Sequence, residues 1–272
     1  MSSSAYQRET NKKRLAAVVL SKTNYGEADL IVTFLTRELG LVSALARYGR
    51  RSIRRFGGGM LSPGMAAWYD FTIKPSSSLA FVENAEENSK TLRLPPDPVT
   101  QSLAAFALEL VRGFEAPGNP AEDSFELLVR HLGRLARCRQ EKACRLVSLD
   151  FALKYMELAG FGPRLAGCLM CGTLPEGREH GWRWDPQAGG IYCPWCQAES
   201  GRRGRPVSPA LLSRLAPSCD YENAPVPLDE SDLTEAEFFF EKLAAHHLGR
   251  PLMAMKVARK HFQHSQGRGP TG

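Results

Sequence analysis

The sequence has no long apolar run, and this absence bears on where the protein works. The run that most resembles a targeting segment, Leu15–Leu20, has six residues and follows the basic triplet Lys12-Lys13-Arg14. A secretory signal needs a longer apolar core followed by a cleavage site, and a membrane-spanning helix needs roughly 20 apolar residues. We therefore expect a cytoplasmic protein that has no membrane partner.

Signatures of familiar catalytic classes are also missing. The chain contains neither the G-x-x-x-x-G-K-[ST] phosphate loop nor the H-E-x-x-H zinc motif, and no serine or cysteine stands in a recognisable nucleophile context. A nuclease would need clustered acids beside its basic face, but Glu27, Asp29 and Glu38 lack metal-site spacing. We predict that the protein is not an enzyme.

Acidic residues are scarce in the first fifth of the chain. Residues 1–55 carry eleven Lys or Arg and four Asp or Glu, which gives this segment a net charge of +7. The whole chain carries +6, so the remaining 217 residues sum to −1. A basic segment on a near-neutral remainder predicts a polyanionic partner, and the alternative is a basic surface that only aids solubility.

Cysteine is rare, with seven in 272 residues, yet four of the seven form two C-x-x-C pairs. The pairs are Cys168–Cys171 and Cys193–Cys196, separated by residues 172–192, which read as a hairpin. Two such turns that face each other make a tetrahedral cage of thiolates, a geometry that suits Zn²⁺ best among common metals. Because four thiolates leave no position for water or substrate, we predict one structural Zn²⁺.

Three other uses of these cysteines are less consistent with the sequence. Disulfides do not persist in a cytoplasmic protein, and a redox pair would not need a second, matching pair. A zinc deaminase needs H-x-E ahead of its P-C-x-x-C, whereas His180 is followed by Gly-Trp.

Five short apolar or alternating runs, rich in Val, Ile, Phe and Tyr, occupy the first ninety residues. Turn-forming residues flank each run. The five runs are Leu15–Leu20, Leu30–Leu35, Leu41–Ala46, Ala67–Ile73 and Leu79–Val82. Five short strands without a long helix favour a small closed barrel, for which the OB-fold is the candidate.

The segment between the third and fourth predicted strands is the most basic in the chain. Residues 47–56 contain five arginines and the aromatic residues Tyr48 and Phe56, ahead of three consecutive glycines. Guanidinium groups bind phosphates and exposed rings stack on bases, so we predict a flexible loop that binds single-stranded nucleic acid. Together with other basic residues of the same region, the predicted contacts are Lys13, Arg14, Lys22, Arg37, Arg47, Arg50, Arg51, Arg54 and Arg55.

After Pro95-Pro96-Asp97-Pro98 the apolar period becomes helical. Helices are predicted from Val99 to Phe114, from Ser124 to Cys138, from Ala143 to Ala159 and from Ser208-Pro209 onward. The last predicted helix begins at the capping box Thr234–Glu237 and ends at Leu248-Gly249.

The predicted architecture is an α+β multidomain protein with an N-terminal OB-fold β-barrel, an α-helical domain and an inserted four-cysteine zinc finger. We expect a flexible arm (1–11), an OB-fold domain (12–90), a helical domain (91–164), a zinc hairpin (165–205), C-terminal helices packing on the helical domain (206–262) and a disordered tail (263–272).

Taken in this order, the parts resemble the RecO family of bacterial recombination mediators. The resemblance covers roughly Lys13 to Met255 and is carried by four stretches. They are YGEADLIV from Tyr25 with LTRELGLV from Leu35, ARYGRR from Ala46, LAGFGPRL from Leu158, and HLGRPL from His247. The chain departs from the family at Met253-Ala-Met255-Lys256, where a Lys-Ser-Arg is usual, and at Tyr48-Gly49, where a small Gly-Ala is usual.

The resemblance implies a nucleoid-associated protein that binds single- and double-stranded DNA and anneals complementary strands. It also implies help in loading RecA onto strands coated by the single-stranded DNA-binding protein, in company with RecR. The acidic, apolar tail of that coating protein would need an apolar groove rimmed by cations, for which we predict Arg130, Arg134 and Lys154. The alternative function is RNA binding by an OB-fold and zinc protein without mediator activity.

Overall fold

Five strands near the start of the chain form a closed barrel. In the computed structural model, which describes residues 11–74, 77–87, 93–175, 181–201, 204–215 and 228–266, they follow the order β1-β2-β3-β5-β4. The strands are β1 (Asn11–Tyr25), β2 (Asp29–Thr36), β3 (Gly40–Ala46), β4 (Ala66–Ile73) and β5 (Ala80–Glu86). Within the barrel, β3 and β5 pair in parallel, through Ala44–Ala80 and Leu45–Phe81, and the other neighbouring strands are antiparallel. The predicted OB-fold barrel is confirmed.

Alternation along the strands fills the barrel. Buried residues on β2 and β4 bring the rings of Phe34, Tyr69 and Phe71 together, with centroids 4.8 Å apart for Phe34–Tyr69 and 5.1 Å for Phe34–Phe71. The buried Tyr69 hydroxyl donates to the carbonyl oxygen of Met60 at 2.6 Å, which satisfies a polar group that would otherwise be costly. Burial raises the pKa of Tyr69, so the hydroxyl stays protonated as a donor.

The chain divides into two compact units, residues 1–137 and 138–272. The first holds the barrel with a short helix α1 (Ile53–Phe56) and two long helices, α2 (Pro98–Phe114) and α3 (Glu122–Arg137). Asp97 caps α2 by accepting the Thr100 N–H at 2.8 Å. The division after Arg137 falls inside the predicted helical domain, so the domain boundaries drawn from the sequence stay a prediction.

The second unit combines one long helix, a small sheet and further helices. In chain order it contains α4 (Glu141–Leu158), β6 (Arg164–Cys168), β7 (Arg183–Asp185), β8 (Gly190–Tyr192), α5 (Pro194–Ser200), β9 (Arg205–Pro206), α6 (Pro209–Leu215), α7 (Glu230–Leu248) and α8 (Met253–Gln266). The sheet has the order β6-β8-β7-β9, and its buried Trp184 stacks on Phe239 of α7 with centroids 4.2 Å apart.

Two helix predictions near the C-terminus differ from the structure. Helix α7 begins one turn before the predicted capping box, because Asp229 already caps it by accepting the Asp232 N–H at 2.7 Å. Helix α8 was not predicted, and it runs four residues into the predicted tail. The remainder of that tail, nearly all of the predicted arm, and Cys219 lie outside the described residues. In the ranges that are described, no helix is both long and apolar enough to span a bilayer.

Candidate metal centre and nucleic-acid interface

The four predicted metal ligands converge. The Sγ atoms of Cys168, Cys171, Cys193 and Cys196 all lie within 4.8 Å of one another, and Cys171 and Cys193 approach to 3.7 Å. A tetrahedral zinc with Zn–S bonds of about 2.3 Å separates its sulfurs by about 3.8 Å. The donor set and its spacing therefore fit a tetrahedral metal bound by thiolates alone.

Local backbone geometry presents the sulfurs. The Gly172 N–H donates to the Cys168 carbonyl at 3.0 Å, and the Cys168 N–H donates to the Thr173 carbonyl at 2.8 Å, which folds the first pair into a tight turn. Gly172 takes a positive φ of 75° there, a conformation that favours glycine. The second pair opens α5, with Pro194 in the first turn and the Cys196 N–H 3.5 Å from the Cys193 sulfur.

The electrostatics of the cluster favour a cation. A hydrogen bond between the Thr173 hydroxyl and the Cys171 sulfur, 3.1 Å apart, lowers the pKa of Cys171 to about 6. The pKa of Cys196 is raised instead, first because it hydrogen-bonds to Cys171 and then because it is buried. Hydrogen bonds from the backbone outweigh burial and lower the pKa of Cys168 as well, whereas burial raises the pKa of Cys193. Two thiols of the cage therefore ionise readily and two resist ionisation, and a divalent cation would favour the thiolate form of all four.

The basic segment after β3 is an ordered turn rather than the predicted flexible loop. The Tyr48 N–H donates to Asp29 Oδ1 at 2.7 Å, and the Arg50 N–H donates to the Ala28 carbonyl at 3.0 Å. The Tyr48 carbonyl in turn accepts from the N–H groups of Arg51 and Ser52. These bonds fasten the turn to the β1–β2 hairpin and lead directly into α1.

Three of the five arginines in this segment make contacts within the protein. Arg47 lies over the Phe81 ring, with its guanidinium carbon 4.8 Å from the centroid. Arg50 donates to the Glu27 carbonyl at 3.1 Å, and Arg55 donates to Ser52 Oγ at 3.0 Å. The side chains of Arg51 and Arg54 are exposed and have no hydrogen-bond or ion-pair partner among the described residues.

The aromatic residues differ from the prediction. Phe56 is only 6% exposed and belongs to the barrel core, so the prediction that its ring is available for stacking is wrong. Tyr48 is 64% exposed, and so is a ring that the sequence analysis did not select, Tyr25, at 54%. The signal for Tyr25 was its position in the turn Asn24-Tyr25-Gly26, where a large ring cannot be buried by its own hairpin.

The other predicted nucleic-acid contacts are spread along the barrel. Exposed Lys22 lies opposite Val32, in the half of β1 that pairs with β2 and ends at Tyr25. Lys13 and Arg14 lie in the other half of β1, which pairs with β4, and Arg14 forms an ion pair with Glu86.

Arg37 is in the turn between β2 and β3, at the opposite end of β2 from the basic turn. It forms ion pairs with Glu122 and Glu126 of α3. The contact of Arg37 with DNA stays a prediction. The two ion pairs do not favour it, because they already engage the Arg37 guanidinium.

The predicted rim cations fall in different units. Arg130 and Arg134 are on α3, in the first unit, and of the two Arg130 is the more exposed. Lys154 is on α4, in the second unit, and pairs with Asp150 at 2.9 Å. Whether the three share one groove stays a prediction.

Two family models together match most of the chain. The model described as "Recombination protein O N terminal" matches residues 11–88, which contain the barrel. The model described as "Recombination protein O C terminal" matches residues 95–256, which contain the four cysteines.

Curated relatives agree with the family models. The DNA repair protein RecO of Anaeromyxobacter sp. (strain Fw109-5) is 34% identical over 253 residues, which cover 91% of this chain and 95% of the relative. The DNA repair protein RecO of Rubrobacter xylanophilus is 34% identical over 80% of this chain and 83% of its own, and that of Myxococcus xanthus is 33% identical over 88% and 93%. The chain therefore belongs to the RecO family, and its role is in DNA repair and recombination.

Proposed function

We propose that this RecO-family protein binds DNA through the basic turn of its barrel, residues 47–55, and acts as a recombination mediator. The observation that carries the proposal is the exposed pair Arg51 and Arg54, which have no partner among the described residues, on a turn whose backbone is fixed by hydrogen bonds. Because the backbone of the turn is already fixed, phosphate binding by these guanidinium groups costs side-chain entropy but little backbone entropy.

The partnered arginines add to this surface. Arg50 keeps an exposed guanidinium while it holds the Glu27 carbonyl, so it can turn its remaining N–H groups outward. Lys22, on the neighbouring half of β1, extends the positive surface along the hairpin. Phosphate contacts of this kind position a strand without reading its sequence, as strand annealing requires.

We further propose that the bound metal is Zn²⁺ and that it is structural. An all-thiolate tetrahedral set suits zinc among the common metals, and four protein ligands leave no open position for substrate. Metal binding would stabilise the 168–196 hairpin, since one ion would hold its two C-x-x-C turns together.

The mediator steps rest on membership of the family. We propose annealing of complementary strands, association with RecR, and loading of RecA onto strands that the single-stranded DNA-binding protein covers. Binding of that protein's acidic tail at Arg130, Arg134 and Lys154 is part of the same proposal. Calorimetry with a tail peptide at low salt, against the Arg130→Ala and Lys154→Ala variants, tests it, and a peptide that releases no heat contradicts it.

A triple substitution of the basic turn tests the DNA site. Arg50→Ala, Arg51→Ala and Arg54→Ala together are expected to weaken single-strand binding for all sequences alike. They should also reduce the slope of log affinity against log salt by about 2, at roughly 0.7 for each lost contact. The measurement is fluorescence anisotropy over a salt series, followed by a strand-annealing assay on protein-coated DNA.

A control with equal loss of charge separates a local site from general attraction. Arg112, Arg137 and Lys142 are exposed on helices away from the basic turn in sequence, and their joint change to Ala should leave the salt slope within about 0.5 of the parent value. Unchanged affinity and salt slope in the variant that lacks Arg50, Arg51 and Arg54 would show that the DNA site lies elsewhere.

A competition experiment between RNA and DNA strands of equal length tests the alternative function, RNA binding. A clear preference for RNA would favour that alternative.

A further inference from the structure

Two exposed tyrosine rings stand beside the basic turn. Tyr25 ends β1 and is 54% exposed, and Tyr48 follows β3 and is 64% exposed. Large rings are usually mostly buried in a folded domain, so two such rings next to one positively charged turn are informative. Neither ring contributes to the barrel core.

A continuous set of hydrogen bonds fixes the two tyrosines to one support. Tyr25 pairs with Asp29 across the β1–β2 hairpin, and the Asp29 carboxylate accepts the Tyr48 N–H at 2.7 Å. The Arg50 backbone N–H donates to the Ala28 carbonyl, and the Arg50 guanidinium donates to the Glu27 carbonyl. Both carbonyls lie at the tip of the same hairpin. The rings therefore belong to one rigid corner of the barrel rather than to two independent loops.

The backbone of Tyr48 has an unfavourable conformation. Its φ is +54°, and it is the one non-glycine residue with positive φ among the described residues. A tyrosine pays a steric cost in the left-handed region, which glycine or asparagine occupies more readily. No burial of the ring offsets the cost, so the strain is consistent with a function for the ring on the surface.

The charges around the rings indicate the partner. Arg50, Arg51 and Arg54 are exposed in the same turn, and Lys22 precedes Tyr25 on β1. Rings interleaved with cations match a strand that offers unpaired bases between phosphates. A duplex hides its base faces in the stack, so it would meet the cations but not the rings.

We propose that Tyr25 and Tyr48 form a stacking platform for unpaired bases, which makes the site prefer single-stranded DNA over duplex. The inference rests on the proposed DNA site at the basic turn. It adds a division of roles in which the arginines hold phosphates of either form and the two rings select strands whose bases are free.

The test compares three DNA ligands of one length with the full-length protein. The ligands are a thymine single strand, the same strand with abasic sites, and a duplex. Tyr25→Ala with Tyr48→Asn is expected to weaken binding of the thymine strand by about tenfold or more, with an unchanged salt slope and duplex affinity within about twofold. The parent should bind the abasic strand as weakly as this variant binds the thymine strand.

The choice of variants keeps the result interpretable. Asparagine accepts the left-handed conformation, so Tyr48→Asn should raise the melting temperature while it weakens strand binding, a pair of effects that misfolding cannot produce. Tyr25→Phe and Tyr48→Phe keep the rings and should bind like the parent. Trp195→Ala, which removes an 83% exposed ring of the four-cysteine region, should also leave binding unchanged.

Each outcome is decisive. If the tyrosine variant binds the thymine strand as tightly as the parent, or if the parent does not distinguish abasic from thymine strands, the platform is refuted while the arginine site stands. If the triple arginine variant also binds normally, the proposed DNA site itself is refuted.

Discussion

Cys171 is the exposed member of the four-cysteine cluster, and a single substitution there tests the metal centre. Cys171→Ser is expected to lower bound metal from one per chain to well below half and to lower the melting temperature, because three thiolates hold a structural metal poorly. Plasma emission spectrometry on protein purified without chelators checks it. Cys138→Ser is the matched control, since Cys138 lies outside the cluster. Metal-free parent protein would contradict the assignment.

Glu235 gives a pH-dependent prediction. Its carboxylate accepts from Arg205 at 2.6 and 2.8 Å and from the Trp184 indole at 3.0 Å. Burial alone would raise its pKa, but these donors outweigh burial and leave the pKa below its usual value of 4.5. The ionised group therefore contributes stability above its unfolded pKa, and the contribution is lost as the pH falls through the folded pKa.

Glu235→Gln keeps an acceptor for Trp184 but loses the ion pair. We expect it to lower the free energy of unfolding by about 1 kcal/mol at pH 7, a modest figure because Arg205 is largely exposed. The difference between variant and parent should shrink as the pH falls below 4.5 and through the folded pKa of Glu235. Urea titrations at pH 7 and at a series of values below pH 4.5 measure this, and a deficit of equal size throughout would exclude an electrostatic origin.

Single residues also mark the limit of what the sequence predicts. The spacing of the four cysteines was enough to predict the cluster, because two short turns can present four sulfurs whatever the hairpin between them does. The roles within the arginine segment were not predictable. Arg50 is held by a backbone carbonyl at Glu27, a partner 23 residues away that carries no side-chain signature.

Helices α4 and α7 are joined by a buried ion pair. Arg145 and Glu237 are 2% and 3% exposed, and their bidentate contact has distances of 2.7 and 3.0 Å. Arg145→Met leaves a buried carboxylate without its partner and is expected to destabilise the fold by about 3–5 kcal/mol. Urea unfolding followed by circular dichroism provides the measurement.

A second substitution tests the cause of that loss. Arg145→Met with Glu237→Met replaces the whole pair by apolar groups, and it should recover most of the stability that the single variant loses. A double variant no more stable than Arg145→Met alone would show that the other contacts of Arg145, among them its ion pair with Glu230 at 2.6 Å, and not the unpaired charge of Glu237, were responsible.

The same pair involves a residue of the predicted start of α7, which was misplaced. The sequence predicted the start at the Thr234–Glu237 capping box. In the structure Asp229 caps the helix, and Glu237, the last residue of the predicted box, is bound by Arg145, a partner 92 residues away along the chain. Strands and long helices were predictable from their periodicity, whereas the engagement of Glu237 by a distant arginine was not.

Across the molecule, the uneven distribution of charge predicts how binding responds to salt. If Arg50, Arg51 and Arg54 each release about 0.7 of a counterion, single-strand affinity should fall by roughly 20-fold between 50 and 200 mM monovalent salt. Anisotropy titrations at four salt concentrations test this. A fall of less than about threefold would mean that ionic contacts with phosphate are minor.

The complete architecture was only partly accessible from sequence. Five alternating runs predicted the barrel strands, but its closure depends on the short parallel pair between β3 and β5, which joins residues 36 positions apart. Likewise, periodicity predicted α2, α3 and α4 without showing that the first two belong to one compact unit and the third to the other. Such groupings depend on which apolar faces meet, and periodicity does not encode that.

The long strand β1 has a further consequence for how copies of this protein avoid one another. From Ser21 to Tyr25 it pairs with β2 on one side, and no strand in the described part of the chain lies along its other side. An open edge of this kind can recruit the edge of another molecule into a shared sheet, which begins aggregation. Lys22 lies on that edge, and a charged side chain on an open edge disfavours pairing with a second copy. The charge predicted to attract DNA should therefore also oppose this route to aggregation.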